Sequence, residues 1–80
     1  MAALTRKFNK GEVIFSEGST GQAVYLVRAG LVEITREHDG KHTVLGRLGS
    51  KEVIGELAIL PRRPRTVTAT AVEFTELLVL

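Results

Sequence analysis

Apolar and polar residues alternate with a period of two along most of this chain. Glu12-Val13-Ile14-Phe15, Ala23-Val24-Tyr25-Leu26-Val27, Leu31-Val32-Glu33-Ile34-Thr35, Thr43-Val44-Leu45, Glu52-Val53-Ile54, Thr66 to Ala71 and Leu77 to Leu80 are rich in β-branched or other large apolar residues. Turn formers punctuate most of the gaps, so these segments predict short strands. Gly18-Ser19-Thr20-Gly21 and Ala29-Gly30 supply places where a positive φ costs little, and Asp39-Gly40 is a strong two-residue hairpin signal. Short strands at near-regular spacing predict a small closed or sandwiched β structure, because open sheet edges invite aggregation. One stretch breaks the pattern. Glu56 to Leu60 is compatible with a single helical turn, stopped by Pro61. No internal repeat, low-complexity segment or linker interrupts the 80 residues, which predict a single domain over 1–80.

The hairpin signal decides a tempting metal reading. His38 and His42 flank Asp39-Gly40. A two-residue turn pairs His38 with Lys41 and Glu37 with His42, which turns the imidazoles to opposite faces of the ribbon and keeps them from sharing an ion. The same register sets Ile34 opposite Leu45.

Composition narrows the function classes. A hydrophobic fraction of 44% with 25% charged residues is that of a globular protein. Eleven bases against nine acids leave a charge of +2, too little to imply nucleic acid by itself. The absence of cysteine removes disulfides and thiolate chemistry and is compatible with a reducing cytoplasm. No apolar run approaches the ~18 residues of a membrane span, and Met1 to Lys7 lacks the apolar core of a signal peptide. A soluble, cytoplasmic protein without a membrane segment is expected. Nothing supplies a nucleophile with its base or paired carboxylates at a cleft, so no enzyme is expected.

The aperiodic stretch Gly55-Glu56-Leu57-Ala58-Ile59-Leu60-Pro61-Arg62-Arg63-Pro64-Arg65-Thr66 carries the chemistry. At the start of a helical turn the N–H groups of Leu57 and Ala58 lack internal partners and can face an anion. Gly55 lets a ligand approach the backbone. Arg65 offers a planar fork suited to phosphate. Glu56 would repel that phosphate unless it accepts from a neighbouring hydroxyl, as an acid does toward ribose in dinucleotide sites. Phosphate beside a hydroxyl describes a nucleotide. Separately each residue has an ordinary explanation: Glu56 as a first-turn acid, Arg65 as a solvated strand-end arginine, Pro61 and Pro64 as turn formers.

Together, Gly55-Glu56-Leu57-Ala58 and Pro64-Arg65-Thr66 resemble the phosphate-binding cassette of the cyclic nucleotide-binding domain family, with the Glu-to-Arg interval intact. Lys10-Gly11-Glu12-Val13-Ile14, Glu17-Gly18, Val24-Tyr25-Leu26-Val27 and Gly30-Leu31-Val32-Glu33-Ile34 resemble its first strands, and the likeness runs from about Phe8 to Leu80. The resemblance implies a mainly-β, jelly-roll-like β-roll with one helical turn in the cassette. It implies a cAMP or cGMP ligand and no other cofactor. Arg65 and the N–H groups of Leu57 and Ala58 would hold the cyclic phosphate, Glu56 the ribose 2′-OH, Thr66 the phosphate and the edge of a syn purine, and Leu45 an apolar wall for the base. Ile54 stands where many members carry an aromatic residue, Val67 replaces a small alanine, and Arg62-Arg63 make the bend unusually basic. The family continues into helices that close over the base. The chain stops at Leu80, which predicts a fragment of a longer signalling protein whose effector lies elsewhere, or else a receptor that cannot relay occupancy through such helices, with the Leu77 to Leu80 strand left to pair or pack with a second copy. Two alternatives share parts of the pattern: a cupin-like metal barrel, which needs three or more convergent ligands, and a nucleic-acid contact through Arg62, Arg63 and Arg65, which lacks interleaved aromatics.

Overall fold

The alternation along the sequence resolves into two four-stranded antiparallel sheets. The computed structural model describes residues 4–21, 23–55 and 64–80. Its strands are β1 (Leu4–Phe8), β2 (Val13–Phe15), β3 (Tyr25–Ala29), β4 (Val32–His38), β5 (Lys41–Leu48), β6 (Val53–Ile54), β7 (Thr68–Ala71) and β8 (Thr75–Val79). One sheet runs β1-β8-β3-β6 and the other β2-β7-β4-β5. This is the expected all-β roll. The expected helical turn lies outside the described residues. No helix among the described residues is long and apolar enough to cross a membrane.

Alternating residues of both sheets meet in one core. Phe8, Tyr25, Val27, Ile54 and Leu77 come from the first sheet, and Val32, Ala69 and Ala71 from the second. Beneath them the turn before β4 is sewn to the turn before β8. Thr75 is fully buried, and its Oγ1 accepts from the Leu31 N–H at 3.2 Å and lies 2.9 Å from the Glu73 carbonyl oxygen. Gly30, at φ +104°, makes this possible, since a β-carbon there would stand 2.5 Å from both Thr75 Oγ1 and the Phe74 carbonyl oxygen.

The hairpin formed as its turn residues require. Asp39 and Gly40 both take positive φ (52° and 75°), and His38 pairs with Lys41 and Glu37 with His42, so the two imidazoles leave by opposite faces. Further along, the expected pairing of Ile34 with Leu45 is corrected. Ile34 faces Gly46 and Thr35 faces Val44, which makes Leu45 the extra residue of a β-bulge. Two other differences concern edges. β1 has only Phe8 buried, and as an edge strand with mostly exposed side chains it carries little apolar signal. Of the two ways expected for the Leu77 to Leu80 strand to meet a second copy, edge pairing is closed, because β8 lies between β1 and β3 and both of its hydrogen-bonding edges are taken.

Candidate functional site

Arg65 is the residue around which the described part of the site is built. It follows Pro64 and precedes a bend at Thr66 and Val67, before β7 begins. Its backbone pairs with the loop after β2: the Arg65 N–H donates to the Ser19 carbonyl at 2.8 Å, and the Gly18 N–H donates to the Arg65 carbonyl at 2.7 Å. That two-point attachment aims the side chain inward. Arg65 is only 5% exposed, so it is no solvated strand-end arginine.

Inside the roll, the guanidinium is gripped on its edge and on its face. Nη2 donates to the Ala23 carbonyl at 2.8 Å, just before β3, and Nη1 donates to the Gly55 carbonyl at 3.3 Å, just after β6. Because β3 and β6 pair antiparallel through Tyr25 and Ile54, both carbonyls lie at one end of that short ladder. The Phe15 ring lies against the group, with its centroid 4.1 Å from Cζ. Nε is buried and has no hydrogen-bond partner among the described residues. A cation withdrawn this far from water is costly unless its donors are satisfied, so the unpartnered Nε–H marks a place for an acceptor.

Two glycines shape the space around it. A β-carbon at Gly21 would lie 3.6 Å from Nη2 and 3.8 Å from Nε, which puts this residue beside the side-on edge of the fork. At Gly55, with φ +85°, a β-carbon would collide with Nη1 at 2.5 Å. Gly55 therefore admits the arginine itself as well as leaving the backbone open.

Of the residues singled out from the sequence, Arg65 and Gly55 are brought together. Thr66 is exposed directly after Arg65. Leu45 sits on edge strand β5, 54% exposed at the bulge. Glu56, Leu57 and Ala58 lie outside the described residues. Phe15, Gly21 and Ala23 were missed. Only the loop glycines left a local signal, because the contacts of Phe15 and Ala23 with Arg65 span most of the chain.

A second depression lies on the outer face of the β2-β7-β4-β5 sheet, lined by Glu17, Glu33, Glu37, His42 and the threonines of β7. Its carboxylates repel an anion, which the buried guanidinium of Arg65 attracts. Glu33 is engaged there by Arg47, whose Nε and Nη2 donate to Oε2 at 3.1 and 3.0 Å. His42 and His38 each face a neighbouring carboxylate, Glu37 at 3.7 Å and Asp39 at 3.3 Å. No group of three or more metal-capable side chains occurs among the described residues.

Comparison with known proteins agrees with this chemistry. The family profile described as Cyclic nucleotide-binding domain matches residues 5–80. The Cyclic AMP receptor protein of Thermus thermophilus is 43% identical over 76 residues, covering 94% of this chain and 35% of that protein. A crystal structure of Thermus thermophilus Catabolite Activator Protein superposes with a TM-score of 0.92 at 42% identity, over 98% of this chain and 37% of that one. The cAMP-dependent protein kinase regulatory subunit of Mycosarcoma maydis is 31% identical over 71 residues, covering 89% of this chain and 14% of the subunit. The chain thus spans about a third or less of the length of these relatives.

Proposed function

Because this chain belongs to the cyclic nucleotide-binding domain family, we propose that it binds cAMP or cGMP as the sensory module of a signalling protein and catalyses no reaction itself. The observation that carries this reading is the buried Arg65 guanidinium, whose Nε–H has no partner among the described residues. Its planar fork suits the two exocyclic oxygens of a cyclic phosphodiester, which share one negative charge. Names of the relatives support it further, since one is a cyclic AMP receptor and another the regulatory subunit of a cAMP-dependent kinase.

Roles follow from chemistry. Arg65 binds the cyclic phosphate, with the N–H groups of Leu57 and Ala58 completing the anion's shell. Gly55 admits both the arginine and the ligand. Glu56 accepts from the ribose 2′-OH, which sets a ribonucleotide apart from its deoxy analogue. Thr66 reads the phosphate and the edge of a syn purine, and Leu45 shields the base. The reading assigns the output to sequence other than these 80 residues, in keeping with a chain that covers 35% of the cyclic AMP receptor protein it matches.

Calorimetry against cAMP, cGMP and linear AMP, on the unaltered chain and on Arg65→Ala, tests the reading. A charge-assisted hydrogen bond to a buried anion contributes about 2–3 kcal/mol, so the substitution should raise the dissociation constant at least ~30-fold. Linear AMP should bind more weakly than either cyclic ligand. Unchanged affinity in a folded Arg65→Ala chain refutes the assignment.

A further inference from the structure

Phe15 does not reach Arg65 through simple strand alternation. In an unbroken strand Val13 and Phe15 point the same way. Here Val13 pairs with Thr70 while Phe15 pairs with Ala69, so two steps along β2 match one step along β7, and Ile14 is the extra residue of a bulge. Ala69 is fully buried in the core, whereas Thr70 lines the outer depression. The bulge therefore leaves Val13 outside, 50% exposed, and turns the Phe15 ring inward to lie 4.1 Å from the Arg65 Cζ.

We propose that Phe15 is a positioning residue for Arg65: its ring holds one face of the guanidinium, so that the Nε–Nη2 edge beside Gly21 is presented to the ligand's anionic oxygens. The proposal rests on the cyclic nucleotide reading and adds to it a residue outside the cassette. Two backbone carbonyls fix the far side of the fork, Ala23 at Nη2 and Gly55 at Nη1. Those two bonds alone leave the group free to swing about the line joining them. A ring against its face removes that freedom, and its quadrupole attracts the cation most strongly where water is excluded. The remaining donors are then fixed in direction before the ligand arrives, which lowers the ordering cost of binding.

A filler role in the core would need only the volume of Phe15, whereas positioning needs the negative face of its ring. Replacing Phe15 by pentafluorophenylalanine keeps shape and apolar character but reverses that face. Calorimetry with cAMP should show about 3- to 10-fold weaker binding, the equivalent of having to order one long side chain on binding. Phe15→Tyr should stay within about 2-fold of the unaltered chain, since it keeps the electron-rich ring. Nitrogen-15 NMR gives a readout that needs no ligand. The Arg65 Nε–H resonance should be protected from exchange and shifted upfield by the Phe15 ring, and it should move when the ring is fluorinated.

The outcomes separate cleanly. If the unaltered chain binds cAMP but the fluorinated ring binds it equally well, positioning is refuted and the nucleotide reading stands. An Nε–H resonance without a ring-induced shift also refutes positioning. If neither cAMP nor cGMP binds the unaltered chain, the functional reading falls and takes the ligand part of this proposal with it.

Discussion

Replacing Gly55 by alanine tests whether Arg65 rests where the structure puts it. The perturbation adds one methyl group and acts in two ways. At φ +85° an L-residue pays about 1–2 kcal/mol for a left-handed conformation that glycine adopts freely. The new β-carbon would also stand 2.5 Å from Arg65 Nη1 and 3.0 Å from the Ala23 carbonyl oxygen. The arginine tip can retreat, but the Ala23 carbonyl is backbone and cannot retreat cheaply. Retreat gives up the Nη1 bond to the Gly55 carbonyl, a net loss of about 1 kcal/mol. Together the two effects come to about 2–3 kcal/mol. For a chain of this size, with a urea m-value of about 1 kcal/mol/M, the unfolding midpoint should fall by about 2–3 M. Gly21→Ala is the matched control. Its φ is not left-handed and its β-carbon would meet the same guanidinium at an ordinary 3.6 Å, so its stability should change by less than about 0.5 kcal/mol. Equal losses in both variants, or an unmoved midpoint for Gly55→Ala, would refute the packing of Arg65 against Gly55.

Two further outcomes follow. Thr75→Val keeps the volume of a fully buried side chain but removes the hydroxyl that accepts from the Leu31 N–H, and leaving that amide unsatisfied should cost about 1–3 kcal/mol in thermal unfolding; an unchanged transition would show that the Leu31–Thr75 bond carries no stability. Thr66→Ala should weaken cGMP by about 1 kcal/mol more than cAMP in calorimetry, because the guanine 2-amino group can donate to Oγ1 and adenine has no such donor; equal losses would mean that Thr66 reads the phosphate alone.

Legibility in the sequence followed the range of the forces involved. The Asp39-Gly40 turn is local, so its register and the separation of His38 from His42 could be read directly. Bulges leave no such mark. The one at Leu45 moved Ile34 opposite Gly46, and the one at Ile14 sent Phe15 to the face opposite Val13, so strict alternation misplaced one pair and hid a site residue. The edge strand β1 is hard to see for another reason: its mostly exposed side chains bear no hydrophobic pattern. Taken alone, Arg65 looked like a surface residue. Its partners, Ala23 forty-two positions away and Phe15 still further, are assembled by the two sheets, and the cassette resemblance singled it out where local reasoning could not.

The pairing of β1 with β8 sets Leu4 directly across from Val79. Paired strands lie only about 5 Å apart, so chain entering at one end of the described roll and chain leaving at the other pass side by side. To a host polypeptide continuing in both directions, the roll is a side loop rather than a spacer. Accommodating it closes a gap that the host's backbone already spans, with little loop-closure entropy and no added reach. A module attached in this way cannot act as a strut that lengthens or shortens. In any such host, a change at Arg65 would be passed on by what the roll's faces touch rather than by a change of span.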